Sequence, residues 1–436
     1  MLFSKIGGWI DRRLHVSDVI TDVLYKPLSG GARYMFSLGF VNMFLFANQV
    51  LTGIFLMLYY VPSPDGAYDA VKFIQTEVTF GYIVRGMHFW GASLMVASLI
   101  LHALRVFVFG AYKKPREVMW ITGSLLMLLV FAFAFTGYLL PWDQKSYWAT
   151  VVGTNVAGTA PFGQIVVRVL RGGAEVSGLT LTRFFTLHTV VLPMVLALVM
   201  GAHLLVLQLV DHTPPWDPEK AKVKAPFYPD QAFKDMVAAL AVFASMIFLA
   251  TVFMPHLEAI ADPSDKTYNP RPEWYFFFLF QLLRYFEGPL EVVGTIVIPN
   301  LFILGMLLLP LIDRNPSRDP RHRPFAMTIG GLVIAGYLTL TVLAVLYPPG
   351  AISAGTVSKG RMLYSKLGCA SCHSISGVGG KVGPPLDGVG GRRDRDWLIG
   401  HFREPQKLSP GSVMPGYDYL SKEELGQLTD YMLSLK

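Results

Sequence analysis

The stretch IVRGMHFWGASLMVASLILHALRVFVF runs from Ile83 to Phe109 and carries two histidines, His88 and His102, 14 residues apart. It is long enough to cross a bilayer as one helix, which needs about 20 apolar residues. Fourteen residues of α-helix turn through about four turns less 40° and rise about 21 Å. The two imidazoles therefore face one way at two depths. Ionisable side chains inside a membrane are costly and usually functional.

A second apolar run, Phe184 to Val210, repeats this pattern with His188 and His203, 15 residues apart. Two such helices would present paired imidazoles in two layers, which suits two haems, each with its iron bound by one imidazole from each helix. A lone histidine would be explained as well by a hydrogen bond to a neighbouring helix. Four histidines in matched layers favour haem.

Glycines recur at the same 14-residue interval in two further apolar runs. A flat macrocycle needs helices that approach it without side chains. Singly, each glycine says little, because glycine is common in membrane helices. Together they predict a four-helix bundle around two haems, with Gly39 and Gly53 on one helix and Gly123 and Gly137 on another.

The composition places most of the 436 residues in lipid, since 53% are hydrophobic and only 15% are charged. Seven apolar runs of sufficient length predict seven transmembrane helices: Met35 to Tyr60, Ile83 to Phe109, Val118 to Leu140, Phe184 to Val210, Met236 to Met254, Leu290 to Ile312 and Ala326 to Leu346. An eighth apolar run, Trp274 to Leu283, is too short to cross and predicts a helix at the membrane interface. The N-terminus lacks a signal-peptide pattern.

Lysine and arginine counts predict the orientation, because basic loops stay on the cytoplasmic side. The N-terminal segment and the loops after the second, fourth and sixth runs hold 17 such residues, and the opposite loops hold 9. The N-terminus is therefore predicted in the cytoplasm of a prokaryote and the C-terminus outside its inner membrane. The net charge of +7 needs no nucleic-acid partner.

The only two cysteines stand in the sequence CASCH, Cys369 to His373. Cys369 and Cys372 can form thioether bonds to a haem while His373 ligates its iron. A zinc half-site or a redox pair would also use two cysteines, but zinc would require further ligands. Met414 is predicted as the sixth iron ligand, with ordinary core packing as the alternative. A linker over 348–357 would precede this small α-helical c-type domain, 358–436, which closes on an amphipathic helix from Ser421 to Leu435.

Four motifs carry a resemblance that covers Asp11 to Leu346. The chain resembles cytochrome b of the quinol-oxidising bc complexes, with a class I c-type cytochrome fused to its end. The resemblance implies an all-α membrane protein with a four-helix di-haem domain over 1–212 and a three-helix domain over 213–347. The motifs are GYLLPWDQKSYWA (Gly137 to Ala149), TLTRFFTLHT (Thr180 to Thr189), AYKKPRE (Ala111 to Glu117) and PEWY (Pro272 to Tyr275).

The resemblance also implies roles for single residues. His88 and His188 would hold a non-covalent haem b near the outer face, and His102 and His203 a second one near the cytoplasm. Glu273 would take a proton from quinol at an outer site, although it could also simply cap the helix that follows. That site would further include Tyr147, Pro272, Trp274 and Tyr275.

The chain is similar to the photosynthetic branch of this family, but it departs from those relatives at two places. Ser37 stands where those relatives attach an extra haem through a cysteine, so that covalent haem is expected to be absent. The segment PFYPDQAFKD, Pro226 to Asp235, is instead similar to the respiratory branch. That similarity implies an inner quinone site lined by Lys234 and Asp235.

The function implied is quinol oxidation at the outer side, with one electron crossing the membrane through two b haems to a quinone site. The other electron would reach the fused c haem through a separate Rieske iron-sulfur protein, since this chain has no spare cysteines for such a cluster. The complex would contribute to proton translocation, be a homodimer and pass electrons to a soluble acceptor. The alternatives are a di-haem membrane anchor that passes electrons linearly, and a non-enzymatic haem-bearing assembly or sensor protein.

Overall fold

The computed structural model describes residues 8–9, 11–265, 268, 270–286, 288–347 and 354–435. The chain divides into two compact units. The first consists of Met1–Ser264 with Pro270–Val342, and the second of Asp265–Asn269 with Leu343–Lys436. The predicted domain boundaries at 212 and 347 stay predictions.

The first unit is helical apart from one short antiparallel pair, β1 Pro27–Ser29 with β2 Lys224–Pro226. Its helices in chain order are α1 Val16–Tyr25, α2 Leu38–Met57, α3 Ala67–Thr76, α4 Gly81–Val108, α5 Glu117–Tyr138, α6 Gln144–Gly158, α7 Gly163–Arg171, α8 Gly178–Val210, α9 Pro218–Lys222, α10 Phe227–Val252, α11 Trp274–Leu283, α12 Val293–Leu307, α13 Leu309–Ile312 and α14 Pro324–Leu346. Short 3₁₀ turns at Tyr34–Phe36, Gly288–Leu290 and Pro320–His322 complete it.

Within the described residues, six helices are long and apolar enough to cross a membrane, namely α2, α4, α5, α8, α10 and α14. The remaining predicted span, Leu290 to Ile312, is helical but interrupted at Leu308, between α12 and α13. Pro310 has no N–H to donate to the carbonyl of Met306, four residues earlier. The indole N–H of Trp120 donates to that carbonyl instead, at 2.6 Å. The predicted fold class is confirmed, with six long apolar helices and the seventh run divided between the shorter helices α12 and α13.

Helix α8 contains one π-helical turn, Leu187–Val191. Pro193 follows it and cannot donate to the carbonyl of Thr189, so the helix widens in the turn before the proline. A π turn takes up one residue more than an α turn. The 15-residue interval from His188 to His203 therefore spans the same rotation as the 14-residue interval on α4.

The histidine-bearing helices belong to two closely packed pairs. Helix α4 packs against α2 and α10, and α8 packs against α5, whereas α4 and α5 touch each other less. The interior between the pairs is closed by an apolar cluster. Its fully buried members are Val41 and Leu45 of α2, Met95 and Val96 of α4, Val130 of α5, Leu196 of α8, Met246 of α10 and Tyr275 of α11.

The second unit contains a small helical fold around its own core. Helix α15 packs against α18, and α16 also contacts α18. The predicted closing helix is confirmed as α18, with Ser421 at its N-cap. Residues 348–353 of the predicted linker lie outside the described residues, and the chain is helical from Ala354. The elements are α15 Ala354–Lys366, β3 Ser374–Ile375, β4 Val378–Gly379, α16 Arg395–Arg403, α17 Pro405–Leu408 and α18 Lys422–Ser434, with 3₁₀ turns at Cys369–Ser371 and Val389–Gly391.

Candidate functional site

Two of the four membrane histidines face each other across the space between the helix pairs. The ring centroids of His88 on α4 and His188 on α8 lie 6.2 Å apart, and the ring planes make an angle of 69°. An imidazole nitrogen lies about 2 Å from a metal ion that it ligates, so two imidazoles sharing one ion have centroids about 6 Å apart. The pair fits a single iron between its rings.

Each of the four predicted glycines lies beside one of the four histidines. A Cβ on Gly137 would stand 2.5 Å from Cε1 of His188, and one on Gly123 would stand 3.2 Å from Cε1 of His203. The same distance is 3.4 Å from Gly53 to His88 and 3.6 Å from Gly39 to His102. The glycines thus divide the histidines into the two predicted layers. An added Cβ would displace the His188 ring at Gly137 and crowd the His203 ring at Gly123, whereas at Gly53 and Gly39 it would make ordinary van der Waals contact.

Three threonines, which the sequence analysis overlooked, hold three of the histidine rings. The hydroxyl oxygens of Thr52, Thr136 and Thr122 lie 2.9, 3.2 and 2.9 Å from Nδ1 of His88, His188 and His203, respectively. Each hydroxyl also donates to the carbonyl four residues earlier on its own helix.

Because its hydrogen is used in that way, each threonine oxygen accepts from the histidine Nδ1–H. This selects the tautomer with a bare Nε2, the form that ligates metal. The sequence does mark these threonines, since each directly precedes one of the four glycines in a Thr-Gly dipeptide.

A cavity of about 450 Å³ joins the His88–His188 pair to a group of polar side chains. Its wall includes Gly53, Gly137 and both histidines. It also includes the polar residues Arg85, Asp143, Lys145, His256, Glu273 and Tyr275, while most of the remaining surface is apolar. Mostly apolar cavities with a few convergent polar groups are typical of small-molecule sites.

Glu273 forms an ion pair with Lys145 in this cavity, with Nζ donating to Oε1 at 2.7 Å. The glutamate side chain is 13% exposed and the lysine side chain 33%. Glu273 occupies the N-cap position of the 3₁₀ turn that opens α11, but its side chain makes no capping hydrogen bond. The Glu273 side chain therefore pairs with Lys145 and does not cap the helix that follows.

The segment Pro141 to Gln144, part of the motif Gly137 to Ala149, is bonded to the stretch of chain that precedes the PEWY motif. Asp143 is the N-cap of α6 and forms a capping box with Ser146. Its second carboxylate oxygen accepts from the backbone N–H of Glu258 at 3.2 Å. The backbone N–H of Gln144 donates to the carbonyl of Ala259 at 2.9 Å. These bonds fasten the chain before PEWY to the start of α6, where Lys145 stands.

The other residues predicted for this site divide into two groups. Tyr275 lines the cavity, and burial, with a smaller contribution from the charge of Glu273, raises its pKa. The structure does not bring Tyr147, Pro272 or Trp274 into the lining. Tyr147 stands two residues, or about 200°, around α6 from Lys145. Its ring packs edge-on against Trp142 and Trp148, and burial raises its pKa.

Lys234 and Asp235, predicted at the inner site, point to different neighbours. Asp235 is 4% exposed and accepts from the side-chain amide of Gln231 at 2.7 Å. That amide also lies 3.2 Å from the hydroxyl of Ser37. The ammonium group of Lys234 stands 5.3 Å above the ring of Tyr34. The two side chains make no direct contact that would define a shared site.

In the second unit, the surroundings of His373 suit the haem ligand predicted there. Nδ1 of His373 donates to the carbonyl of Pro384 at 2.8 Å, which leaves Nε2 free. A Cβ on Gly383 would stand 2.4 Å from the His373 ring, so this glycine allows the chain to pass beside it. Met414 packs against the same core cluster as Cys369. Across the described residues, no group of three or more His, Cys, Asp or Glu could hold a metal ion alone.

These features define the class: a multi-pass helical membrane protein with paired histidine sites for haem and a fused domain of the c-type cytochrome kind. Sequence-family comparisons agree with it. Residues 23–210 match the family described as cytochrome b/b6/petB, and residues 260–358 match cytochrome b(C-terminal)/b6/petD. Residues 379–432 match cytochrome C oxidase, mono-heme subunit/FixO, a range that begins after the CASCH motif.

Individual relatives extend the match over both membrane parts. The chain is 39% identical over 353 residues to a cytochrome bc complex cytochrome b subunit of Chlorobaculum thiosulfatiphilum, covering 78% of this chain and 81% of that protein. It is 33% identical to cytochrome b/c1 of Bradyrhizobium diazoefficiens, over 80% of this chain and 52% of that protein.

A solved structure titled hyperthermophilic respiratory Complex III superimposes with a TM-score of 0.70 at 30% identity, covering 78% of this chain and 91% of that one. The chain belongs to the cytochrome b subunits of cytochrome bc complexes and carries a fused c-type cytochrome domain. It is accordingly a haem-containing, membrane-bound quinol oxidoreductase subunit of electron transport.

Proposed function

We propose that the chain is the haem-carrying subunit of a quinol:cytochrome c-type oxidoreductase that separates the two electrons of each quinol. The observation that carries this proposal is the cavity that places the Lys145–Glu273 pair and the His88–His188 pair in one wall. A haem held by His88 and His188 would fill the part of this cavity beside them, and a quinol bound beside Glu273 would stand between a group able to take its proton and that electron acceptor. The carboxylate supports quinol oxidation, which the linear anchor would also perform, and the separation of the two electrons is supported by the membership in the family of cytochrome bc complexes.

The residues that would hold the cofactors are those described above. His88 with His188, and His102 with His203, would hold two non-covalent haems b. Cys369 and Cys372 would bind one haem c covalently, with His373 and Met414 as its iron ligands. When bound, the haems supply one-electron transfer, the b pair carrying one electron of each quinol across the membrane and the c haem receiving the other by way of a separate Rieske iron-sulfur protein.

The cavity residues would accept a proton from the quinol at the outer side. Oxidation of one quinol to quinone releases two electrons and two protons. Glu273 takes one proton from a quinol hydroxyl as the electrons leave, and the ion pair with Lys145 positions the carboxylate for this step. Tyr275 also lines the cavity. Proton release on this side and quinone reduction at an inner site near Lys234 and Asp235 would together contribute to proton translocation.

The fused domain takes the place of a separately anchored c-type cytochrome. The N-terminus is proposed to lie in the cytoplasm and the c-type domain outside the inner membrane of a prokaryote, from the lysine and arginine counts. The complex is proposed to be a homodimer that reduces a soluble acceptor. One relative, from Geobacillus thermodenitrificans, is a menaquinol:cytochrome c reductase cytochrome b subunit, 41% identical over 216 residues.

Purification of the tagged chain from its native membranes tests the proposal. A Rieske protein, identified by mass spectrometry and by the electron paramagnetic resonance signal of its cluster, should copurify in equal amount. An active quinol oxidase preparation without any iron-sulfur protein would favour the linear anchor and overturn the separation of electrons.

A further inference from the structure

One of the four membrane histidines lacks the hydrogen bond that the other three share. Within the described part of the chain, Nδ1 of His102 is buried and has no partner. Its neighbouring glycine, Gly39, is preceded by Leu38, where the other three glycines are preceded by threonine. A Cβ on Gly39 would stand 3.6 Å from Cε1 of His102, against 3.4 Å from a Cβ on Gly53 to Cε1 of His88. The backbone arrangement is therefore repeated, and only the hydroxyl is missing.

The missing hydrogen bond at His102 makes the two histidine layers unequal. In the His88 layer both imidazoles donate from Nδ1 to a threonine. In the His102 layer only His203 does so, through Thr122. A hydrogen bond from Nδ1 makes the imidazole a more basic ligand. A more basic ligand stabilises the oxidised, more positive iron and so lowers the reduction potential.

We propose that Leu38, by leaving His102 without an acceptor for its Nδ1–H, raises the reduction potential of the haem site formed by His102 and His203 above the value that a threonine at position 38 would set. The inference rests on the proposed function, because it assumes that the four histidines ligate two haems. It makes Leu38 a positioning residue that acts through His102. The asymmetry favours electron flow from the His88 layer to the His102 layer.

Redox titration of the two b-type transitions in the intact complex tests this inference. Leu38→Thr should lower the midpoint potential of one transition and leave the other unchanged. Thr122→Val, which removes the hydroxyl acceptor of His203 and leaves only the backbone of Met119 beside it, should raise the potential of that same transition. Thr52→Val should raise the other one. Leu38→Val, which changes shape without adding a hydroxyl, is the matched control and should shift neither.

Three outcomes of these redox titrations would contradict the inference, each for a different reason. Unchanged potentials in Leu38→Thr, with both haems present and both threonine variants shifted, would overturn the assignment to Leu38. Unshifted potentials in Thr52→Val and Thr122→Val would overturn the hydrogen-bond argument itself, including the case in which Leu38→Thr does not assemble. A wild-type complex without b-type haem would instead show that the proposed function is wrong, and the inference with it.

Discussion

At the scale of single residues, the ion pair between Lys145 and Glu273 distinguishes the proposed quinol site from an ordinary apolar cavity. Charged groups removed from water require a partner, and breaking such a pair by removing one member costs several kcal/mol. A pair retained in a mostly apolar wall therefore calls for a reason beyond stability. The proposed proton acceptance by Glu273 would provide that reason.

Replacement of Glu273 by Gln keeps the size and one carbonyl oxygen but removes the basic carboxylate. Quinol oxidation should slow without loss of haem. General bases typically contribute about 100- to 10,000-fold, and we expect the lower end or less, because water can take over part of the role. Glu175→Gln, at an exposed position, is the matched control. An unchanged rate from pH 5 to 9 with a full haem complement would contradict the proton-acceptor role.

The residue scale also shows what the sequence could and could not reveal. The four histidines and four glycines followed from periodicity alone, and the structure places each glycine beside a histidine. The threonine partners were missed because a hydroxyl that bonds its own helix looks unremarkable in a membrane span. Lys145 was missed because its partner lies 128 residues away. Such a contact depends on the tertiary fold.

At the scale of elements, one π turn reconciles the unequal histidine spacings on α4 and α8. Regular α-helix would leave the two pairs out of register by one residue, or about 100°. The sequence showed the extra residue but not where the helix absorbs it. The break between α12 and α13 was likewise hidden, because hydropathy does not register a proline that ends hydrogen bonding.

Replacement of His203 by Leu should remove one b haem and leave the c haem intact, because the histidine and the CASCH motif belong to separate compact units. Pyridine haemochrome spectra of the purified variant measure both types. His322→Leu, whose side chain is 71% exposed, should keep every haem. Loss of the c haem with retention of both b haems would refute the four-helix assignment.

The cap of α18 offers a test in the second unit. Ser421 forms a capping box with Glu424, and hydrogen bonds from Ser421 hold the pKa of Glu424 below its usual value. Ser421→Ala should destabilise the unit by about 1 kcal/mol, measured by thermal melting of the c-haem absorbance. Because a lowered carboxyl pKa stabilises the fold above its unfolded value of 4.5, the difference should shrink as the pH falls through that range. Ser365→Ala, at an exposed position of α15, should change little. An equal melting temperature at neutral pH would contradict the cap.

At the scale of the whole molecule, the chain should carry three haems. Four histidines in two layers and one CASCH motif account for two extractable b-type haems and one that stays bound after acid-acetone treatment. Pyridine haemochrome analysis of the pure chain measures the ratio. A second non-extractable haem would show that Ser37, which is buried beside Gln231, does not mark the loss of the extra covalent haem.

The proposed separation of the two quinol electrons can be followed with a pulse of oxidant. With quinol present in the complete complex, ferricyanide is added to oxidise the c haem while the b haems are followed by absorbance. If each quinol must send one electron to either branch, withdrawing electrons from the c haem makes the b haems more reduced for a moment. Oxidation of the b haems together with the c haem would instead show a single linear chain and contradict the account.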